Sequence, residues 1–336
     1  MSTASLELPY TTDSSRFSLL VCRFIAWSNV AILFIFLLNV YLNFWRGWPG
    51  ATAAFSSDGT IASWLQVLLY ALGLILPLWY VRATAGRNLR DDSLTITAIA
   101  SYITRFAFWA VLLIGLTDAV ISFLRVEELL ADVVGDAMAQ DLSRNQYRGP
   151  YVQLPLIILS LVLAAVTRTL GFTWLALLVV VAELQIVISR FVFSYEQAFM
   201  GDLVRFWYAG LFLFSSAYTL LEDGHVRVDV LYHGFSERTR GVVNAIGALF
   251  LGLPLCWTVL LLGMGQSTSI ITSPILALEI TQQGFGMYVK YLMAAMLGVF
   301  AVTMAIQFVA NFLESIADYC GLPGKQQSST HSETIA

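Results

Sequence analysis

A polar segment from residue 222 to residue 240 contains the side chains of this sequence that are best suited to chemistry. It begins EDGHVRVDVLYH and continues with further acids and arginines. Carboxylates beside histidines can act as acid–base groups or as metal ligands. However, His225 and His233 lack the spacing that places two metal ligands on one face of a helix, and the third histidine, His331, lies in a Ser/Thr-rich tail. The segment therefore predicts neither a metal site nor a catalytic site.

Other patterns that carry catalysis are missing from the sequence. No histidine lies in the middle of an apolar segment, where a membrane-bound haem would need an axial ligand. There is no GxxxxGK[ST] phosphate-binding loop and no internal repeat of the kind that complete secondary transporters show. We therefore predict that the chain is not an enzyme, has no catalytic residues and holds no cofactor or metal.

The composition is that of an integral membrane protein. Of the 336 residues, 58% are hydrophobic and 12% are charged, and the mean hydropathy is +0.75. Soluble domains carry roughly twice that share of charged residues. The formal net charge of −4 is spread over the loops, so the sequence does not predict nucleic-acid binding. The three cysteines lie far apart and are interpreted as packing residues.

Apolar segments long enough to cross a bilayer occur about eight times. A spanning helix needs about 20 mostly apolar residues, because every backbone polar group must be satisfied inside the segment. The predicted spans are residues 18–42, 60–82, 95–123, 152–168, 172–190, 202–221, 241–265 and 287–313. The fourth and fifth lie so close together that one long, broken segment is an alternative. Either way, the predicted fold is an all-α integral membrane protein.

The loops predict how the chain is oriented. Because Lys and Arg in short loops are retained in the cytoplasm, their distribution places both termini, and residues 222–240, on the cytoplasmic side. Two outer connections, 125–150 and 194–202, are amphipathic. Their apolar residues recur with helical spacing and acidic residues lie between them. We interpret both as interfacial amphipathic helices. The first could also be a solvated connector with one apolar face, or could cover a neighbouring subunit.

Two charged residues lie inside predicted spans. Arg105 of the third span and Glu183 of the fifth lie at similar depths, since both spans run from inside to outside. Charges inside a membrane usually face protein and pair with one another. We therefore predict an intramembrane ion pair between Arg105 and Glu183. It could be an interhelical clamp or part of a proton or ion site.

Four short motifs stand at fixed offsets from two predicted membrane boundaries. They are RFVF from Arg190, GDLVR from Gly201, SSAYTL from Ser215 and GHVRVD from Gly224. In this order they resemble the DctQ-like small membrane subunit, or Q component, of tripartite ATP-independent periplasmic (TRAP) transporters. The resemblance covers roughly residues 172–315. The linker YEQAF at 195–199 departs from the common W-x-E-E form and is closer to the mannitol or chloroaromatic-compound subgroup.

The resemblance and the predicted spans together divide the chain into four parts. Residues 1–150 form an N-terminal extension with three transmembrane helices and an amphipathic outer loop, and residues 151–171 form a fourth transmembrane helix. Residues 172–315 are the DctQ-like four-helix module, and residues 316–336 are a polar cytoplasmic tail.

The resemblance implies a non-catalytic small permease subunit in a bacterial inner membrane. Such a subunit braces the large elevator-type subunit, the M component. It also helps to dock a periplasmic solute-binding protein, the P component, for sodium-driven symport of an organic acid or similar solute. Two other hypotheses stay open, namely an independent secondary carrier and a membrane anchor for another complex.

Residues near the two membrane boundaries are the expected contacts with partner subunits or lipids. They are Gly224, His225, Arg227, Asp229, Arg190, Arg205 and Glu196. Glycine at 224 permits a backbone conformation closed to other residues where the sixth span ends. The basic residues near it can bind lipid phosphates, helix-end carbonyls or acids of the large subunit. The alternative is a basic membrane anchor without a specific partner.

Overall fold

The structure is a computed structural model that describes residues 13–57, 59–168, 172–221, 232–280 and 286–323. These ranges consist of helices and their connections, without a β-strand. Seven of the helices are long and apolar enough to cross a membrane, judged by length and composition. The prediction of an all-α integral membrane protein is therefore confirmed.

The first part of the chain forms three long helices. Helix α1 spans Asp13–Trp45, α2 spans Ile61–Ala83 and α3 spans Leu89–Val126. A short 3₁₀ turn, Ala51–Phe55, lies between α1 and α2. Helix α2 begins with a capping box, in which the Thr60 and Ser63 side chains each accept a hydrogen bond from the other's backbone N–H.

Three short helices follow in the connection between α3 and the next long helix. They are α4 (Leu130–Val134), α5 (Asp136–Leu142) and α6 (Asn145–Arg148). The amphipathic pattern predicted within 125–150 is divided between short helices, because Gly135 adopts φ 83° and ends α4. A π-helical turn, Gly149–Gln153, then leads into α7, Leu154–Val166.

The second part of the chain begins with two long helices. Helix α8 spans Phe172–Phe193 and α9 spans Ala198–Leu221. The interfacial helix predicted over 194–202 is helical only from Ala198 onward. Ser194 has φ 51°, which interrupts the helical path, and α9 then begins with Phe199 and Met200 buried in a protein core rather than facing lipid.

The remaining helices complete the fold. Helix α10 spans Glu237–Gly247 and continues through a π-helical turn, Ala248–Gly252, into α11, Leu253–Met264. Helix α12, Thr272–Ala277, is short and ends at Leu278, which has φ 46°. Helix α13, Lys290–Tyr319, is the last element.

Seven of the eight predicted spans coincide with helices that could cross a membrane. These helices are Phe17–Trp45, Ile61–Ala83, Leu89–Val126, Asn145–Val166, Ala176–Phe193, Glu237–Met264 and Lys290–Tyr319. The predicted span 202–221 is part of helix α9, but α9 is not among the seven. Helix α9 carries Asp202 and Arg205 in its first turns and Ser215 and Ser216 near its end.

The described chain forms two compact units. The first takes in the residues up to Thr97, those from 232 to Leu253 and those from Phe308 to 323. The second takes in the residues from Ala98 to 221 and from Pro254 to Gln307.

The core of the second unit brings aromatic side chains of α9 against α3. Phe206, Trp207 and Phe214 are buried there with apolar residues of α3 and α8. Gly115 of α3 is needed for this packing, because a Cβ at that position would lie 2.4 Å from Nε1 of Trp207. The same Nε1 donates a hydrogen bond to the Val111 carbonyl at 3.3 Å. The indole is thus held by both packing and a polar contact.

In the first unit, helix α10 approaches the backbone of α13 very closely. Gly241 is buried, and a Cβ there would lie 2.7 Å from the Ser315 carbonyl oxygen and 2.9 Å from the Tyr319 nitrogen. Because these are backbone atoms, they cannot be turned aside as a flexible side chain could. Glycine at 241 is therefore required by the contact itself.

Candidate interface residues and buried polar networks

The polar segment around Gly224 lies mostly outside the described residues, which include none of Gly224, His225, Arg227 and Asp229. The described part begins with a 3₁₀ turn, Tyr232–Gly234. Tyr232 exchanges hydrogen bonds with the Asn244 side chain, and the Arg240 guanidinium lies 5.4 Å from the centre of its ring. Ser236 caps α10 by accepting a hydrogen bond from the Thr239 N–H. The entry to α10 is thus fixed by its own polar side chains.

Two of the predicted interface residues form an ion pair with each other. Nε of Arg190, near the end of α8, lies 3.4 Å from Oε2 of Glu196 in the linker before α9. Both side chains are more than half exposed, so this pair alone contributes little to stability. Its charged groups remain open to a partner or to lipid headgroups.

The third predicted residue at this end, Arg205, pairs with an aspartate that is much more buried. Arg205 is 71% exposed, whereas Asp202, one turn earlier, is 4% exposed. Asp202 also accepts the backbone N–H of Met287 at 3.1 Å. This carboxylate therefore fixes the segment before α13 to the start of α9, while Arg205 extends away from the protein.

The linker before α9 is also bound to the end of α3. The Tyr195 hydroxyl donates a hydrogen bond to Oε1 of Glu127 at 2.7 Å. Burial and this bond to a carboxylate raise the pKa of Tyr195 to about 12. The neutral phenol is thus favoured in the folded chain.

Arg105 and Glu183 are not brought together in the structure. Nε of Arg105 donates to the Ala164 carbonyl of α7 at 3.3 Å, and Glu183 is exposed on α8. Among the residues that the structure describes, no ion pair joins the two. The predicted intramembrane pair stays a prediction, and the observed partner of Arg105 is a backbone oxygen.

A buried polar network that was not predicted from the sequence is centred on Asp118 of α3. Arg148 of α6 donates from Nη1 to Oδ1 of Asp118 at 2.9 Å and from Nε to the Leu142 carbonyl. Oδ2 of Asp118 accepts the backbone N–H of Tyr288 at 2.7 Å. The two charged side chains are 2% and 0% exposed, so the ion pair is shielded from water and salt.

The same network continues through Gln153 and two tyrosines. Nε2 of Gln153 donates to the Tyr288 carbonyl at 2.9 Å, and its Oε1 accepts the Tyr291 hydroxyl. The Tyr288 ring has two guanidinium groups near its centre, that of Arg148 at 4.1 Å and that of Arg125 at 4.7 Å. Arg125 also donates to the Gly286 carbonyl at 2.8 Å. The segment 286–291 is therefore anchored to the end of α3 by charge, aromatic and backbone contacts.

A second buried network lies in the first unit, around Asp92 at the start of α3. Nε of Arg23 donates to Oδ2 of Asp92 at 2.6 Å, and its other nitrogens bond Oγ1 and the carbonyl of Thr84. Nε of Arg87 lies 3.1 Å from the second carboxylate oxygen, as an ion pair without hydrogen-bond geometry. These contacts tie α1 to the turn between α2 and α3.

Arg90 links the start of α3 to the end of α13. Its guanidinium forms ion pairs with Glu314 and with Asp318, the latter at 3.0 Å. It also donates to the carbonyls of Leu322 and Pro323, which follow α13. Close by, the Ser93 hydroxyl donates to the Ala310 carbonyl at 2.9 Å. Arginine suits this position because its planar group directs several donors at once.

Most polar groups of these networks bond one another, although Oδ1 of Asp92 and Nη2 of Arg148 are buried without a hydrogen bond among the described residues. The described residues contain no group of three or more His, Cys, Asp or Glu side chains that could hold a metal ion. What the networks can do is hold helices and connecting segments in one arrangement. One signal in the sequence could have located the first network, since Asp118 lies inside the predicted span 95–123 and a charge there needs a protein partner.

Comparison with known proteins identifies a domain in the second half of the chain. Residues 176–318 match the family model described as tripartite ATP-independent periplasmic transporters, DctQ component. Residues 176–318, under half of the chain, are therefore similar to the DctQ family. That family consists of transporter components and is not an enzyme family. The match does not support the mannitol or chloroaromatic subgroup. No curated protein and no solved structure matches the chain.

Proposed function

We propose that this chain is the small permease subunit of a TRAP transporter, with its DctQ domain as the part that joins the other subunits. The observation that carries the proposal is the family match over residues 176–318. The seven helices that are apolar enough to cross a membrane agree with it, because such a subunit is embedded in the bilayer.

In this proposal the chain is the fixed partner in a three-part system. A large membrane subunit carries the solute across the bacterial inner membrane by an elevator motion driven by sodium, and a periplasmic protein delivers an organic acid or similar solute. The chain braces the large subunit and helps to dock the binding protein, with both of its own termini in the cytoplasm. Support comes from the buried ion pairs, which suit a rigid support better than a moving element.

The N-terminal extension, residues 1–150, adds supporting surface toward the large subunit or toward lipid. Support for this role comes from its bonds to the DctQ domain within each unit. In the first unit Arg90 pairs with Glu314, and in the second Asp118 accepts the Tyr288 N–H. Within each unit, such bonds hold the extension against the part of the domain that belongs to the same unit.

The boundary residues supply the contacts with partners and lipid. Gly224, His225, Arg227 and Asp229 act at the cytoplasmic boundary, and Arg190, Glu196 and Arg205 act at the outer one. The exposure of the Arg190–Glu196 pair and of Arg205 supports the outer part of this assignment. Arg227 and Asp229 together offer opposite charges, which a purely basic lipid anchor would not need.

The test is co-purification with the large subunit from a membrane that contains all three components. We expect Arg227→Ala with Asp229→Ala to weaken recovery of the complex while solute binding by the isolated periplasmic protein is unchanged. Arg46→Ala is the matched control, since Arg46 is an exposed arginine just after α1. Failure of the unaltered chain to form any complex would contradict the proposed function.

A further inference from the structure

We infer that the face of α8 around Glu183 is the docking surface for a membrane-spanning helix of the large subunit, and that this helix presents a cationic or N–H-donating side chain to the Glu183 carboxylate. The inference rests on the proposed function and assigns the surface and the chemistry of the contact.

Glu183 lies at the middle of its helix. Helix α8 has 22 residues, Phe172–Phe193, and Glu183 is central among them. At a rise of ~1.5 Å per residue, either end of α8 is about 15 Å from Glu183. The hydrocarbon core of a bilayer is about 30 Å thick, so a spanning α8 places this carboxylate near the centre of the membrane.

The part of the chain that the structure describes offers Glu183 no partner. The side chain is exposed, and no hydrogen bond or ion pair to it occurs within the described residues. Arg105, the cation predicted to pair with it, instead bonds the Ala164 carbonyl. Lipid tails have no hydrogen-bond donor that could replace a cation beside Glu183. Carboxylates at this depth in a membrane usually face protein and pair with another group. A partner from another chain meets this need.

The surroundings of Glu183 form a surface that a helix can cover. Val180, Leu184 and Val187 are exposed beside it at helical spacing, with exposed fractions of 60%, 53% and 48%. In the apolar part of α8 only 11% of residues are buried, the lowest share among the seven candidate spans. The carboxylate is thus surrounded by apolar side chains suited to helix packing.

The exposed side chains of helix α7 differ in polarity from those of α8. It is also poorly buried, with 22% of its span inside the protein, but its exposed side chains between Leu154 and Val166 are all apolar. Lipid tails can cover such an apolar face without a polar partner. Since α8 differs by a charged residue at mid-depth, its face needs a protein occupant.

A second copy of this chain does not suit the surface. Two copies related by a twofold axis would bring like surfaces together, and Glu183 would then face Glu183. Like charges at close range in a medium of low dielectric repel each other. The occupant therefore carries complementary chemistry, and in the proposed complex the large subunit is the membrane-embedded partner that can supply it.

The test uses Glu183→Leu, with Gln185→Leu as the matched control on the opposite side of α8. Gln185 is also exposed, and the two positions differ by about 200° around the helix. We expect Glu183→Leu to weaken co-purification of the large subunit by roughly five- to thirtyfold, the effect of losing one interhelical polar contact. Gln185→Leu should leave it unchanged, and Glu183→Gln should lie between.

Thermal unfolding of the isolated chain in detergent separates the alternatives. Glu183→Leu should melt at the same temperature as the unaltered chain or higher, because no internal contact is lost. A clearly lower melting temperature would reveal a partner within the chain and overturn the inference. The inference would also be overturned if the unaltered chain forms the complex and Glu183→Leu co-purifies with the large subunit equally well. That outcome would leave the proposed function intact. If the unaltered chain forms no complex, the proposed function fails, and the inference with it.

Discussion

Arg148 and Asp118 form an ion pair of 2.9 Å in which both side chains are almost completely removed from solvent. The same aspartate accepts the backbone N–H of Tyr288, so one carboxylate joins α3, α6 and the segment before α13. A buried pair of this kind adds little net stability compared with an apolar replacement, but the loss of one partner leaves an uncompensated charge. It therefore acts chiefly by allowing only one arrangement of the three segments.

The first prediction concerns this pair. We expect Arg148→Met to reduce the free energy of unfolding by about 3–5 kcal/mol, because Asp118 is left buried without its cation. Thermal unfolding in detergent measures the effect. The double change Arg148→Met with Asp118→Leu should recover part of the loss, since no lone charge remains.

The matched control is Arg144→Met. Its ion pair with Asp141 is 3.8 Å long, and both side chains are about half exposed. Its removal should cost no more than about 1 kcal/mol. Equal losses for Arg148→Met and Arg144→Met would show that burial of the first pair has no energetic consequence.

The second prediction concerns the close approach of α10 to α13. Gly241→Ala should destabilise the chain by about 1–3 kcal/mol, because the new Cβ meets backbone atoms of Ser315 and Tyr319. Gly247→Ala, in the same helix, has no atom within 4 Å of the added Cβ and should stabilise by up to about 1 kcal/mol. Melting temperatures of the two variants that shift in the same direction would refute the packing argument.

The third prediction is a pH dependence at Tyr195. Its pKa is raised to about 12 from a usual value of about 10, so the protonated phenol is the form that the fold favours. The stability it contributes is fully present below pH 10 and is lost as the pH rises through 12.

The titration of Tyr195 can be measured as the difference in ultraviolet absorbance between the unaltered chain and Tyr195→Phe as the pH is raised. We expect a midpoint near 12 for the tyrosinate signal, and a lower midpoint in Glu127→Gln, because the hydrogen-bonded carboxylate is one cause of the shift. A midpoint near the usual value in the folded chain would mean that the Tyr195–Glu127 contact does not form in solution.

The spans could be predicted from the sequence because an apolar segment of sufficient length is a local property. Predicted span 60–82 and helix Ile61–Ala83 differ by one residue at each end. The amphipathic connections were predicted less well, because a periodic pattern does not reveal where one residue takes a positive φ. Gly135 and Ser194 interrupt the two expected helices in this way.

The buried networks could not be predicted, because each depends on single charged residues that are distant in sequence. Arg148 and Arg90 lie outside the predicted spans, yet the structure places both in ion pairs. The sequence did indicate that Asp118, a charged residue inside predicted span 95–123, needs a protein partner. Even so, its partner could not be chosen without knowing that α6 and the segment around Tyr288 converge on α3.

The most direct test of the central claim is solute uptake into proteoliposomes with a sodium gradient. The chain would be reconstituted alone, with the large subunit, and with the large subunit plus the periplasmic binding protein, and a fourth sample would contain the last two proteins without the chain. We predict sodium-driven uptake only when all three proteins are present, since the chain supports transport without performing it. Uptake by the chain alone would contradict this account and favour an independent carrier, and full uptake without the chain would show that it serves another complex.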